Sequence, residues 1–145
     1  MQALAQRVSS ATVLINNEEH SSINRGILAF VCFEKHDTSE IIAPFISKIS
    51  NFCFFKDNSN MMSINLKELD AEIMIVSQFT LAAVTGKGNK PSFHRSAGAD
   101  KAERLYKELL EELSSSNIRF QSGVFGAEMD IHSVNCGPVT FSFTI

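Results

Sequence analysis

Several features that would assign a function quickly are missing from this sequence of 145 residues. Its three cysteines, Cys32, Cys53 and Cys136, are widely separated, and no pair has the spacing of a zinc site or a redox motif. This pattern indicates buried, reduced thiols in a cytoplasmic protein. No apolar run approaches the length that crosses a membrane, and the first residues lack the pattern of a signal peptide. We therefore expect a cytoplasmic protein with no membrane partner.

An excess of positive charge is also missing. The formal net charge of −3 argues against a protein that binds a long nucleic-acid backbone through its overall charge. A local basic patch that grips one end of a nucleic acid remains open. The segment 85–96 fits such a patch, since it contains no acid and carries Lys87, Lys90, His94 and Arg95.

Recognisable catalytic motifs are the third absence. The four histidines are scattered, with no helix-spaced pair and no carboxylate at ligand spacing. The sequence has no glycine-rich phosphate loop, nucleophile elbow or thiol–histidine signature. We therefore expect neither a metal site nor a cofactor. Ser77 or Thr80 could act as a nucleophile only beside a base, and the sequence offers no persuasive one.

The hydrophobic pattern predicts one domain, residues 1–145, long enough to bury a core. Apolar residues recur at helical spacing in 41–49, behind Asp37-x-x-Glu40, which has the form of a capping box. Pro44 must then lie in the first turns or bend this helix. Residues 100–113 form a second, amphipathic helix. Alternating or continuous apolar runs predict strands at 2–8, 11–15, 27–33, 52–55, 61–66, 72–78, 130–135 and 139–145.

These elements predict an α+β fold, in which a mostly antiparallel, twisted, barrel-like β-sheet carries two main helices. The predicted strand 72–78 delivers uncharged polar side chains at its carboxyl end, among them Ser77 and Gln78, with Thr80 just beyond. The basic segment 85–96 follows. A rigid strand that hands polar groups to a loop is typical of a functional site. The alternative is a core strand that ends in an ordinary turn.

Gly137-Pro138 separates the last two predicted strands. Gly-Pro in this position is usually a turn and nothing more. It could also present backbone carbonyls in a fixed geometry that measures the shape of a ligand. Shortly before it, Phe125, Ala127 and Met129 alternate along the chain, so that on a strand they would share a face suited to a flat base or to the core.

Two motifs, taken together, resemble those of the bacterial D-aminoacyl-tRNA deacylases. They are Ser77-Gln78-Phe79-Thr80-Leu81 and Asn135-x-Gly137-Pro138-Val139-Thr140. Further agreement comes from Gln6-Arg7-Val8, Lys90-Pro91-Ser92-Phe93 and Phe125-Gly126-Ala127-Glu128-Met129. The resemblance covers the chain from end to end.

The resemblance implies hydrolysis of the ester between a D-amino acid, or glycine, and the 3′-terminal adenosine of tRNA. It also implies a homodimer with active sites at the interface, where a cis Gly137-Pro138 of one subunit enters the other's pocket and excludes L-amino acids. Ser77, Gln78, Phe79 and Thr80 would form the catalytic pocket, and the backbone amides near Phe79 and Thr80 would polarise the scissile carbonyl.

The remaining implied roles concern binding. Arg7 would support the Gly-Pro motif, and the segment with Phe125 and Met129 would hold the adenosine. Cations of the loop would bind tRNA, namely Lys87, Lys90 and Arg95. The 2′-hydroxyl of the tRNA would assist the attacking water, with Thr80 as the second candidate for that role. Two other functions remain open: a nucleic-acid-binding dimer that does not catalyse, and a Thr80-dependent esterase for small molecules.

Overall fold

A long central strand, β1 (Gln2–Ile15), organises the sheet. The structure is a computed structural model that describes residues 1–86 and 88–145. Helix α1 spans Ile42–Asn51 and helix α2 spans Ala99–Ser114. The other strands are β2 (Glu18–Ile23), β3 (Gly26–Cys32), β4 (Phe55–Lys56), β5 (Met62–Ile64), β6 (Glu72–Ser77), β7 (Phe120–Ser122) and β8 (Asp130–Thr144).

Strand β1 has three partners because of its length. Strands β3 and β2 pair with its first and second halves, and β8 runs antiparallel along most of it. Beyond β3 the sheet continues through β6 and β7 in parallel, while β4 and β5 form a separate hairpin. The sheet is therefore mixed and almost closed into a barrel. The predicted α+β fold with two helices is confirmed. The local sequence pattern did not indicate that β3 pairs with β6, and β6 with β7, in parallel.

Two predicted pairs of short strands are each one continuous strand. The predictions 2–8 and 11–15 are both part of β1, because the backbone stays extended through Ser9 and Ser10 although these polar residues interrupt the apolar pattern. The predictions 130–135 and 139–145 both belong to β8. The break that was expected there is present as shifts in the β1–β8 pairing on either side of Val8.

Local predictions around the first helix were partly wrong. Asp37 is not a helix cap: its carboxylate accepts hydrogen bonds from the backbone amide of Glu34 and from the amino group of Met1. Pro44 is the third residue of α1, where a missing N–H costs no helical hydrogen bond. In the predicted strand 52–55 only the last residue joins β4, because Phe52 and Phe54 pack instead in an aromatic cluster with rings of β8.

The core lies between the sheet and the two helices. Strands β3 and β6 are buried along most of their length, as expected for strands covered on both faces. Helix α2 contributes the predicted apolar stripe through Leu105, Tyr106 and Leu109. The Tyr106 hydroxyl donates to the carbonyls of Ile75 and Gly123, which ties α2 to the end of β6. Among the described residues, no helix has the length and apolar character required to span a membrane.

Candidate active site

A cavity of about 690 Å³ lies beyond the carboxyl end of β6. The ends of β3 and β6 form its floor, and the start of α2 and the segment before β8 form other parts of its lining. The lining residues include Cys32, Ser77, Gln78, Phe79, Phe93, Ala102, Phe125, Gly126, Ala127 and Met129. The structure thus brings the start of the first motif, Ser77 to Phe79, together with Phe125 and Met129, which are distant in sequence, whereas Thr80 does not line the cavity.

A short turn carries the chain out of β6 at the edge of this cavity. The Gln78 amide still donates to the Val31 carbonyl over 2.7 Å, and Phe79–Ala82 then forms one turn of 3-10 helix. The amides of Phe79 and Thr80 begin this turn and donate to no other described residue. Two adjacent N–H groups without a partner can stabilise the negative charge that develops on a carbonyl oxygen.

Thr80 is exposed and its hydroxyl is fixed by a neighbour. The side-chain amide of Gln78 donates to Thr80 Oγ1 over 2.6 Å. An amide nitrogen cannot take up a proton, so this contact orients the hydroxyl without activating it as a nucleophile. Nearby in sequence, Ser92 Oγ and His94 Nδ1 lie 2.8 Å apart on the exposed loop.

Cys32 is a lining residue that sequence reasoning missed. Its Sγ lies 3.5 Å from the Phe79 carbonyl and 3.6 Å from the Phe33 carbonyl, so the thiol contacts the turn from the adjacent strand β3. Burial raises the pKa of this thiol, which keeps it protonated and able to donate. No local feature of the sequence marks Cys32 as a site residue, because it reaches the cavity only through the parallel pairing of β3 with β6.

Two aromatic rings lie at the rim of the cavity. Phe79 and Phe93 meet edge to face with centroids 5.0 Å apart, and Phe79 is 56% exposed. An exposed aromatic pair next to a cavity leaves apolar surface in contact with water, which is unfavourable unless another molecule covers it. The rim is therefore suited to contact with a second molecule.

The Gly-Pro segment, residues 136–138 of β8, does not line the cavity of its own chain. The Gly137–Pro138 peptide bond is cis. The guanidinium of Arg7 is buried and donates to the carbonyls of Cys136 and Phe54, each over 2.8 Å. Gly137 has φ +147°, and an added Cβ would lie 2.8 Å from the Val139 amide nitrogen and 3.0 Å from Arg7 Nη2, so a side chain does not fit.

The basic loop is less cationic than its sequence suggests. Lys90 is exposed, whereas Arg95 forms an ion pair with Glu34 at 2.8 Å. Half of the Arg95 side chain remains exposed. The predicted tRNA-binding residue Lys87 lies outside the described residues.

A comparison with protein families decides the relationship of this chain. The family described as D-Tyr-tRNA(Tyr) deacylase matches residues 4–144. The chain belongs to this family. The chain is 42% identical over 145 residues to a D-aminoacyl-tRNA deacylase of Francisella tularensis subsp. novicida, with 100% of each chain covered. It is 40% identical to one of Pseudoalteromonas atlantica, also with 100% of each covered.

Two solved structures have a similar fold. One, titled c-Myc DNA Unwinding Element Binding Protein, superposes with a TM-score of 0.94 at 36% identity and covers 100% of this chain and 99% of that one. Another, titled as a probable eukaryotic D-amino acid tRNA deacylase, has a TM-score of 0.87 at 19% identity, with 99% and 98% covered, and supports the fold alone. The resemblance and the enzyme class inferred from the sequence, a deacylase and hence a hydrolase, are confirmed.

Proposed function

We propose that this deacylase hydrolyses the ester between a D-amino acid and the 3′-terminal adenosine of tRNA, and that it also releases glycine. The relatives named D-aminoacyl-tRNA deacylase support the substrate class. The observation that carries the chemistry is the pair of amides of Phe79 and Thr80 beside the cavity. These amides can stabilise an oxyanion although the motif contains no titrating base.

In the proposed reaction, the terminal adenosine occupies the cavity against Phe125 and Met129. The ester carbonyl oxygen accepts hydrogen bonds from the Phe79 and Thr80 amides. Water adds to the carbonyl carbon while the 2′-hydroxyl of the tRNA assists removal of its proton. The bond from that carbon to the 3′-oxygen then breaks, and the 3′-oxygen takes a proton. The products are a free D-amino acid and a tRNA with a free 3′-hydroxyl.

We assign the stereochemical selection to Gly137 and Pro138 of a second subunit. The Gly-Pro segment lies apart from the cavity of its own chain, so an interface between two copies would allow it to complete the partner's cavity. The Gly137 carbonyl would accept a hydrogen bond from the substrate α-amino group, and Arg7 would support the segment through the Cys136 carbonyl. Exclusion by a clash rejects every L side chain regardless of its chemistry.

The basic loop, residues 85–96, would bind the end of the tRNA through Lys87, Lys90 and Arg95. Single-stranded ends are the parts of an RNA that proteins read in detail. We further propose that residues 1–145 act as one deacylase domain in the cytoplasm. The three cysteines are free, as expected there, but the prediction that they are buried is wrong for Cys136, which is exposed, and only Cys32 is fully buried.

The test is hydrolysis of matched D- and L-aminoacyl-tRNA by the purified protein, with glycyl-tRNA as a third substrate. We expect rapid release from the D and glycyl esters and little release from the L ester. Equal release of D and L would remove the stereochemical role of Gly137-Pro138. No release from any ester would refute the hydrolysis itself.

A second candidate function is nucleic-acid binding without catalysis by a dimer of the same fold. The observation that favours it is the 36% identity to the protein titled c-Myc DNA Unwinding Element Binding Protein. Against it stands the net charge of −3, which does not suit a duplex binder. Binding to duplex DNA at physiological salt, together with no ester release, would favour this candidate.

A further inference from the structure

The pairing between β1 and β8 is interrupted at the Gly-Pro segment. Gln6 pairs with Thr140 and Val8 pairs with Asn135, so Arg7 alone lies opposite the four residues from Cys136 to Val139. Such a bulge removes ladder hydrogen bonds and lets the extra residues protrude from the sheet. Something other than the ladder must therefore hold the protruding segment in one position.

Two side chains replace the missing ladder bonds, one at each end of the bulge. Arg7 Nε binds the Cys136 carbonyl at the first end. At the second end, Asn135 Oδ1 accepts from the Val139 amide over 3.0 Å, and Asn135 Nδ2 lies 3.4 Å from the Val139 carbonyl. Nδ2 also donates to Thr140 Oγ1 over 3.2 Å, and the same oxygen accepts from Gln6 Nε2 over 3.3 Å.

The hydrogen bond between Asn135 and Val139 joins the two ends of the bulge. Pro138 has no N–H, so it can donate no backbone hydrogen bond, and the next available backbone donor after it is the Val139 amide that Asn135 accepts. The side chain of Asn135 thus spans from the residue before the bulge to the residue that ends it. Arg7 orients the carbonyl that precedes Gly137, whereas Asn135 sets where the chain re-enters the sheet.

We propose that Asn135 is a positioning residue for the choice between D- and L-aminoacyl esters. This proposal rests on the function proposed above and adds to it a specific cause of stereochemical fidelity. A backbone segment that excludes one enantiomer by a clash works only if it is held in one position, and a supporting shell that is loose by about 1 Å is a recognised way for a site to fail. Through the Val139 amide, the Asn135 side chain would hold the Gly137-Pro138 segment in that position.

The experiment measures kcat/KM for D- and L-aminoacyl-tRNA with the same amino acid, and the readout is the D/L ratio. Asn135→Ala removes the contacts, and we expect the ratio to fall about tenfold, mainly through faster release from the L ester. Asn135→Asp keeps an oxygen for the Val139 amide and can accept from the Thr140 hydroxyl. The ratio of this conservative variant is expected to stay within about threefold of wild type.

A second pair of variants covers the case in which Asn135→Ala does not fold. Thr140→Val removes the hydroxyl that holds Asn135 Nδ2, and Thr144→Val is its control on the same strand, since Thr144 is exposed and makes no side-chain hydrogen bond to a described residue. A D/L ratio lower in Thr140→Val than in Thr144→Val supports the proposal, and equal ratios overturn it. Thermal unfolding of every variant reports whether it is folded.

The outcomes separate this proposal from the one on which it rests. If wild type releases D but not L and folded Asn135→Ala keeps the wild-type ratio within about threefold, the role of Asn135 is refuted and the deacylase function stands. Proportional losses on both esters would make Asn135 a structural residue only, which also overturns the proposal. If wild type releases neither ester, the deacylase function fails and the role of Asn135 falls with it.

Discussion

At the scale of single residues, Thr80 separates two chemistries for the site. Its hydroxyl has the Gln78 amide as partner, which cannot act as a base. We therefore expect Thr80→Ala to keep kcat on D-aminoacyl-tRNA within about tenfold of wild type, the loss expected for one neutral hydrogen bond. Single-turnover hydrolysis measures this rate, with Thr80→Ser as the matched variant. A loss of several orders of magnitude in Thr80→Ala, recovered in Thr80→Ser, would instead identify Thr80 as the nucleophile.

Gly123 packs against the side chain of the cavity residue Met129. A Cβ on Gly123 would lie 2.8 Å from Sδ and 3.3 Å from Cε of Met129, so the flexible thioether would have to move. Because Met129 lines the cavity, we expect Gly123→Ala to raise KM for aminoacyl-tRNA severalfold and to cost about 1 kcal/mol of stability through overpacking. Glu112→Ala is the control, since Glu112 is an exposed residue of α2 that does not line the cavity. An unchanged KM would mean that Met129 does not help to define the substrate site.

Several residues that the sequence analysis singled out lie close together in the structure, although their proposed roles stay predictions. Ser77, Gln78 and Phe79 are found at one cavity, and so are Phe125 and Met129. Cys32 was not predicted to line the cavity, because no local feature distinguishes it from any other buried thiol at the end of an apolar strand. The interaction of Asn135 with Val139 escaped as well, since it depends on a bulge that only the pairing with β1 reveals.

At the scale of elements, the β4–β5 hairpin depends on one carboxylate. Asp57 accepts hydrogen bonds from the Ser59 hydroxyl, the Ser63 hydroxyl and the Met61 amide, and these lower the pKa of Asp57 from 3.8 to about 2. The folded state then binds the proton more weakly than the unfolded state. This contribution to stability is complete above about pH 4 and disappears as the pH falls towards 2.

We therefore expect Asp57→Asn to destabilise the hairpin at pH 5 and to differ less from wild type at pH 2.5. Hydrogen exchange of the Met61 and Ser63 amides at the two pH values, corrected for intrinsic rates, measures this difference. Asp130→Asn on the surface of β8 is the control. A difference between Asp57→Asn and wild type that does not shrink in acid would contradict the assigned hydrogen bonds.

Elements with a strong local period were the ones that could be predicted. The stripe of α2 is visible because burial on one face leaves a helical repeat, and β3 and β6 are visible because burial on both faces leaves a continuous apolar run. The parallel pairing of β3 with β6 was not predictable, because register depends on contacts between distant segments. The predicted position of β4 was wrong because Phe52 and Phe54 pack in an aromatic cluster and do not pair in a β-ladder.

At the scale of the whole molecule, the proposed site requires two copies of the chain. We expect light scattering to give twice the chain mass of 16.0 kDa at assay concentrations. The Gly-Pro segment is absent from the lining of its own chain's cavity, so a monomer would lack its means of excluding L-amino acids. Loss of the D/L preference on dilution below the dissociation constant would agree with this arrangement. A monomer that discriminates between D and L esters would contradict it.

The pairing of β1 with β8 has a consequence for the synthesis of the protein. Residue 2 pairs with residue 144, and Arg7 donates to the carbonyl of Cys136, so β1 can complete its edge only after residues 130–144 have left the ribosome. Contacts so distant in sequence slow folding and leave unpaired edges exposed in the nascent chain. A truncated translation product would lack both the Gly-Pro segment and the partner of β1. Incomplete synthesis would then yield an aggregation-prone chain, and not a deacylase that has lost its stereochemical restraint.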